Sequence, residues 1–326
     1  METLKIGFLW VHSIYDIQNS VFFHLLKKQS KKKIEIVAFD KADILIIGPY
    51  DFISFKRKAL NYFLKKKIFK NLSNYFHNIE LYSLKRKYKP VRIFISHENI
   101  HHSLSKIDFS FNHNLGIIGE NHFRFPHWKD NLDWTHEGIS RDITSTAKRF
   151  GFFWKIENLV NPQGSNFIKK NRNFCIFTSH MLEPRKSIYL KFKEHFSVHG
   201  YGPWFDKKIT DHNRSNFSIY DVMKNYAFNL CPENSLCPGY YTERVPNAVI
   251  SKTLPITWAD QNISLDFNER SFVNLLDYTK DNYQEICGLL KDENFLKQFA
   301  HEPLLLKRPD LNEERLFISK ILSLFQ

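Results

Sequence analysis

A chain of 326 residues, 43% of them hydrophobic and 31 of them Phe, can bury the cores of about two domains, which excludes global disorder. Its 11 Gly and 12 Pro exclude collagen-like and low-complexity material. The 47 basic and 34 acidic residues leave a net charge of +13, favouring anionic partners such as nucleotide phosphate, nucleic acid or an acidic membrane face.

Lys5–Val11 reads as a buried strand, and Ser20–Lys28 as a helix with Val21, Leu25 and Lys28 on one stripe. Further strands are expected at Ile34–Phe39, Ile44–Ile47, Val91–Ser96 and Phe109–Asn112. Short, continuous apolar runs bounded by turn signals suit strands covered on both faces, as in parallel sheets. Between Asp51 and Lys89 the pattern changes. Phe52, Phe55, Ala59 and Phe63 share a helical stripe, while Lys56, Arg57, Lys58, Lys65, Lys66, Lys67 and Lys70 crowd the other positions. This basic amphipathic stretch, 52–70, suits either packing on the core or contact with an anionic membrane surface.

The alternation then restarts. Phe174–Ser179 reads as a strand, Lys186–Glu194 as a helix, and Ser197–His199 as the lead into a Gly-rich turn. Phe228–Cys231 and Leu254–Trp258 are strands around a helix at Thr242–Ser251, and the chain from Asn262 onward is mainly helical. Asn161–Asn173, with Pro162, Gly164 and several charges, reads as the linker, so domains are expected at 1–163 and 164–326. Two such halves make an α/β protein of two Rossmann-like domains facing a cleft. No stretch reaches the roughly 18 uninterrupted apolar residues of a membrane span. Cys175, Cys231, Cys237 and Cys287 form no CxxC pair and are expected as buried thiols of a reduced, intracellular chain. His97, His101, His102 and His113 lack zinc spacing and read as a hydrogen-bonded polar surface.

The chemistry concentrates in Tyr226–Asp260, which reads as strand, polar loop, helix, strand. Thr242 is a natural N-cap, and Glu243 suits the first helical turn. Arg244 does not: a cation at the positive end of a helix is unfavourable unless an anion lies between them. A phosphate would fit there, and a solvated Arg is the alternative.

FNLCPENS (228–235), GYYTER (239–244) and LPITWAD (254–260) stand in the order and spacing of a known signature. They resemble the family 10 glycosyltransferases, the α-1,3/1,4-fucosyltransferases. IGPYDF (47–52), VRIFISHEN (91–99), FCIFTSHMLEPR (174–185) and VHGYGPW (198–204) resemble further segments of that family, and the C-terminal helices resemble its bacterial members. Pro232, Arg244 and Ala259–Asp260 depart from the usual Phe, Lys and Gly-containing strand end.

The resemblance implies a GT-B architecture and inverting transfer of L-fucose from GDP-β-L-fucose. The acceptor it implies is a 3- or 4-hydroxyl of GlcNAc or Glc in a surface glycan such as lipopolysaccharide O-antigen. By the same resemblance Glu98 is the catalytic base, and Arg185 and Arg244 meet the donor phosphates. Asn234, Tyr240 and Glu243 would contact ribose or fucose hydroxyls. No DxD-like acidic pair stands at a strand end, so no obligatory metal is expected, with Mn²⁺ stimulation left open. The implied acceptor is an oligosaccharide or lipid-linked glycan. The implied location is cytoplasmic, peripheral at the inner membrane face through 52–70. A GT-B enzyme using another nucleotide sugar is the first alternative, and a basic nucleic-acid-binding protein, suggested by the net charge of +13, is the second. No recognised nucleic-acid module is present, so nucleic acid is not an expected partner.

Overall fold

The computed structural model describes residues 2–49, 89–99, 107–117, 119–205 and 218–326. The basic stretch 52–70, with His101 and His102, lies outside the described residues. Contacts group the chain into two compact units. The first comprises Met1–Asn112, Ile117–Phe125 and Leu311–Gln326; the second comprises His113–Gly116 and Pro126–Asp310. The boundary expected at 163/164 therefore falls inside the second unit.

The first unit is built on a six-stranded sheet in the order β2-β1-β3-β4-β5-β6. Its strands are β1 (Thr3–Leu9), β2 (Lys33–Ile36), β3 (Ile44–Ile47), β4 (Val91–Ser96), β5 (Phe109–Asn112) and β6 (His122–Arg124). Every pairing is parallel. All four residues of β3 and of β5 are buried, as expected for strands covered on both faces. The second expected strand ends early, because Phe39–Lys41 turn into a 3₁₀ helix. Strand β6, only three residues long, has too little pattern to be read from sequence.

The helix Val21–Gln29 starts where Ser20 Oγ accepts the Phe23 N–H at 3.3 Å. It buries Val21, Phe22, Phe23, Leu25 and Leu26. The C-terminal helix Asn312–Leu322 packs beside it, and Gln29 Nε2 donates to Arg315 O at 3.2 Å. Phe317 of that helix meets Phe109, Phe111 and Phe123 at centroid distances of 5.9, 6.2 and 5.3 Å. The last residues of the chain thus complete the core of the first unit.

The second unit holds a five-stranded parallel sheet in the order β11-β10-β9-β7-β8. The strands are β7 (Phe174–Phe177), β8 (Val198–Tyr201), β9 (Phe228–Leu230), β10 (Leu254–Thr257) and β11 (Val273–Asn274). Phe174 anchors its core against Phe192, Phe196 and Phe228, at 5.3, 4.8 and 4.6 Å between ring centroids. The expected linker is a packed element instead. Ser165–Lys169 form a 3₁₀ turn, Phe167 is fully buried, and Gly164 N donates to Ala300 O at 3.0 Å. Its Pro and Gly mark turns rather than a spacer. All four cysteines are free and buried, as expected. Among the described residues, no helix is long and apolar enough to cross a membrane.

Both sheets share one topology. Each chain starts on an inner strand, steps outward once, then returns and winds the other way. In such doubly wound sheets, ligands bind outside the carboxyl ends of the strands where the winding reverses. In the second unit that point lies between β7 and β9.

Candidate active site

Arg185 and the loops after β7 and β9 meet at this reversal point. Arg185 is 6% exposed and is the first residue of the helix Arg185–Lys193. Its Nη1 donates to Thr178 Oγ1 at 3.3 Å, just past β7. Its Nε donates to Pro232 O at 3.3 Å, just past β9, and its Nη2 donates to Asn234 Oδ1. One guanidinium therefore ties the two strand ends together. Asn234 Nδ2 in turn donates to Tyr240 OH at 3.2 Å. The Tyr240 ring meets His113 edge-on, at 5.0 Å between centroids.

His113 departs from the surface expected of the histidine cluster: it is only 2% exposed, enclosed by the loop that carries Tyr240. Leu115 N donates to Pro238 O at 3.4 Å. Gly239 makes the approach feasible. Its φ is +87°, and the His113 carbonyl oxygen occupies the place a Cβ would take. At the other lip, Gly202 has φ +135° and lies against the Thr178 carbonyl in the same manner.

The helix after β9 begins two residues later than the sequence reading has it. It spans Arg244–Ile250, with Glu243 at the N-cap position and no side-chain cap. Thr242 turns away from capping because Glu233 claims it. Glu233 Oε1 accepts both the Thr242 N–H and its hydroxyl at 2.9 Å. Glu233 Oε2 lies 3.6 Å from Arg244 Nε. Arg244 Nη1 donates to Phe177 O, the last residue of β7, at 3.3 Å. Glu243 Oε2 lies 3.4 Å from His127 Nδ1. Asp260, at the departing strand end, accepts from Tyr241 OH at 3.3 Å and thereby steadies the same loop.

The electrostatics follow from two cations held close in a shielded place. Burial, and then the Arg244 charge, push the Arg185 pKa down to about 10, with Glu233, Tyr240 and Glu243 opposing the fall. Burial raises the Glu233 pKa against the pull of Arg244 and the Thr242 hydrogen bonds. Burial also works against the Glu243 carboxylate, but His127 and Arg244 prevail and hold its pKa below the usual value. Both arginines stand at the first residue of a helix, where partial positive charge gathers.

Five of the six expected site residues, Arg185, Asn234, Tyr240, Glu243 and Arg244, are thus brought together in the second unit. Glu98 belongs to the first unit, two residues past the carboxyl end of β4. Ser96 Oγ accepts the Glu98 N–H at 3.0 Å and donates to the Glu98 carbonyl at 2.8 Å, which fixes the turn that presents it. The sequence reading assigns no site role to Glu233, Thr178 or His127, and it places His113 on a polar surface. Glu233 and Thr178 lay inside quoted motifs, but only the fold shows what they touch. Among the described residues, no group of three or more His, Cys, Asp or Glu is placed to hold a metal ion.

Residues 167–301 match the family model described as glycosyltransferase family 10 (fucosyltransferase) C-term. The chain is 25% identical over 215 residues to an alpha-(1,3)-fucosyltransferase of Helicobacter pylori, covering 61% of this chain and 43% of that protein. It is 25% identical over 163 residues to a putative fucosyltransferase of Acanthamoeba polyphaga mimivirus, covering 47% of this chain and 27% of that protein. The matches therefore span less than half the length of these curated relatives. A crystal structure of an alpha1,3-fucosyltransferase superposes over 99% of this chain and 90% of its own, with a TM-score of 0.64 at 19% identity. The structure titled as its GDP-fucose complex covers 99% and 91%, with a TM-score of 0.64 at 18% identity. The mixed α/β fold with parallel sheets is accordingly that of the GT-B fucosyltransferases.

Proposed function

We propose that this chain, whose residues 167–301 are a family 10 fucosyltransferase domain, is a glycosyltransferase that moves L-fucose from GDP-fucose to a hydroxyl of a glycan. The observation that carries the reading is the convergence of Arg185, Arg244, Asn234, Tyr240 and Glu243 outside the carboxyl ends of β7 and β9. That is where a doubly wound sheet binds nucleotides.

In this reading the transfer inverts the anomeric centre. The Glu98 carboxylate takes the proton of the acceptor hydroxyl as its oxygen attacks C1 of fucose. The C1–O bond to the diphosphate breaks on the opposite side, and GDP leaves with the electron pair. Arg244 and Arg185 stabilise the charge that builds on the leaving diphosphate. Arg244 is the better placed for direct contact, because its Nη2 makes no hydrogen bond among the described residues. Arg185 already engages Thr178, Pro232 and Asn234, so its contribution is charge and order as much as contact. Asn234, Tyr240 and Glu243 supply hydrogen bonds to ribose and fucose hydroxyls, which fixes the donor for in-line attack.

The two guanidinium groups make a metal non-obligatory in this proposal; Mn²⁺ addition during turnover tests that point. The proposed acceptor is a 3- or 4-hydroxyl of GlcNAc or Glc in a lipid-linked or oligosaccharide surface glycan. The enzyme would work in the cytoplasm at the inner membrane face. Contact of 52–70 with that face is read from sequence alone and is testable by sedimentation with anionic vesicles.

The test of the donor is a thermal-shift series with GDP, GDP-fucose, UDP-sugars and dTDP-sugars. A ligand bound only by the folded state raises the melting temperature, by about 2.7 kcal/mol of stabilisation at one hundred times its Kd. GDP and GDP-fucose should raise it, and the others should not. A preference for UDP or dTDP would overturn the reading.

A further inference from the structure

We infer that Glu233 is a positioning residue: its carboxylate holds the Arg244 guanidinium in the direction from which it meets an anionic ligand. The inference rests on the nucleotide-sugar reading above for the identity of that ligand, but not for the geometry.

Glu233 is 1% exposed, the least accessible carboxylate at this site. A charge so placed is costly unless paired and hydrogen-bonded. Three interactions answer that cost, and each comes from the segment that carries Arg244. Glu233 Oε1 accepts the Thr242 N–H at 2.9 Å, which fixes the backbone two residues before Arg244. The Thr242 hydroxyl donates to the same carboxylate, 2.9 Å from Oε1 and 3.0 Å from Oε2. Oε2 then lies 3.6 Å from Arg244 Nε. From the opposite side, the Phe177 carbonyl takes Arg244 Nη1 at 3.3 Å. With Nη1 hydrogen-bonded to Phe177 O and the Nε edge drawn toward Oε2 by the ion pair, the remaining edge of the planar guanidinium is set in direction.

The second reason is repulsion. The Arg244 charge acts on Arg185, and Arg185 is largely immobilised by Thr178, Pro232 and Asn234. Arg244, 20% exposed at its side chain, is the one able to swing away. Glu233 is the group that opposes that swing. A purely electrostatic role would predict the opposite outcome: removing an acid from an anion site should tighten anion binding.

The two roles therefore differ in sign, and Glu233→Gln separates them. The amide keeps the shape and can still accept from Thr242, but no longer attracts Arg244. GDP binding to the variant, measured by calorimetry, should weaken about tenfold or more, as for loss of a charge-assisted bond. In an Arg244→Ala background, the same change should have little further effect, because the residue being positioned is gone. A merely structural role predicts losses that add. Unchanged or tightened GDP binding by Glu233→Gln, or full additivity, would overturn the inference.

A ligand-free readout keeps the inference separate from the identity of the donor. The ¹⁵N-attached Nε proton of Arg244, assigned by its loss in Arg244→Ala, should be slow to exchange in the wild-type protein and fast in Glu233→Gln. If it exchanges equally in both, Glu233 does not hold Arg244, whatever the ligand. If it differs but wild-type protein fails to bind GDP, the positioning stands and the donor assignment falls. Thr242→Val, which keeps the backbone bond and volume, should give an intermediate exchange rate.

Discussion

Replacing Arg185 by Ala sets two large and opposed quantities against each other. The guanidinium donates to Pro232 O, Thr178 Oγ1 and Asn234 Oδ1. Bonds from a charged donor are each worth about 1.5–3 kcal/mol net, so the lower bound is about 4–5 kcal/mol. Against this, burial and Arg244 lower the pKa from its ordinary 12.5 to about 10. At about 1.4 kcal/mol per unit, the folded protein spends roughly 3 kcal/mol keeping that charge in place. Taken from that lower bound, the difference leaves at least about 1–2 kcal/mol of stability to lose. In a protein with domains of this size, that is a fall of about 2–8 °C in melting temperature.

On the proposed function, donor binding should respond more strongly, because a bound diphosphate would compensate the buried cation. Losing that interaction should cost about 10- to 150-fold in GDP affinity. Differential scanning fluorimetry and calorimetric titration with GDP on one purified variant measure both quantities. The expected result is a small thermal shift with a large affinity loss. Near-normal GDP affinity together with a collapse of more than about 15 °C would show that Arg185 only fastens the strand ends, and would refute the reasoning.

Glu98→Gln should lower turnover by at least about 100-fold, the lower end of general-base assistance, while GDP affinity stays near wild type. Retained turnover would remove Glu98 from the mechanism. Gly239→Ala should destabilise the donor loop, since φ is +87° and the new methyl would meet the His113 carbonyl. Gly164→Ala is the comparison that strains the backbone without a contact: φ is +75° and ψ −177°, a region essentially reserved for glycine, with no atom within 4 Å of the added carbon, so it costs about 1–3 kcal/mol from conformation alone. Equal melting temperatures for the two variants would mean that the His113 contact is without consequence.

Local pattern was enough for the class of the protein. β3, β4 and β5 begin and end where the sequence reading puts them, and β3, buried along its whole length, is written as a continuous apolar run. The signature segments put Asn234, Tyr240, Glu243 and Arg244 on one loop and helix start and Arg185 at the start of another helix, and their spacing needed no fold to be recognised. Tertiary structure decided what a local window cannot contain. The C-terminal helix belongs to the first unit because Phe317 fits the aromatic face of β5, some 200 residues earlier in the chain. The linker reading gives way because Phe167 and Ile168, side by side among polar residues, found a core to enter. The Thr242 cap failed for a related reason: Glu233, buried nine residues earlier, offered a stronger partner than the helix end. Capping, linking and pairing are competitions between neighbours in space, and a sequence names the competitors without showing which of them are near.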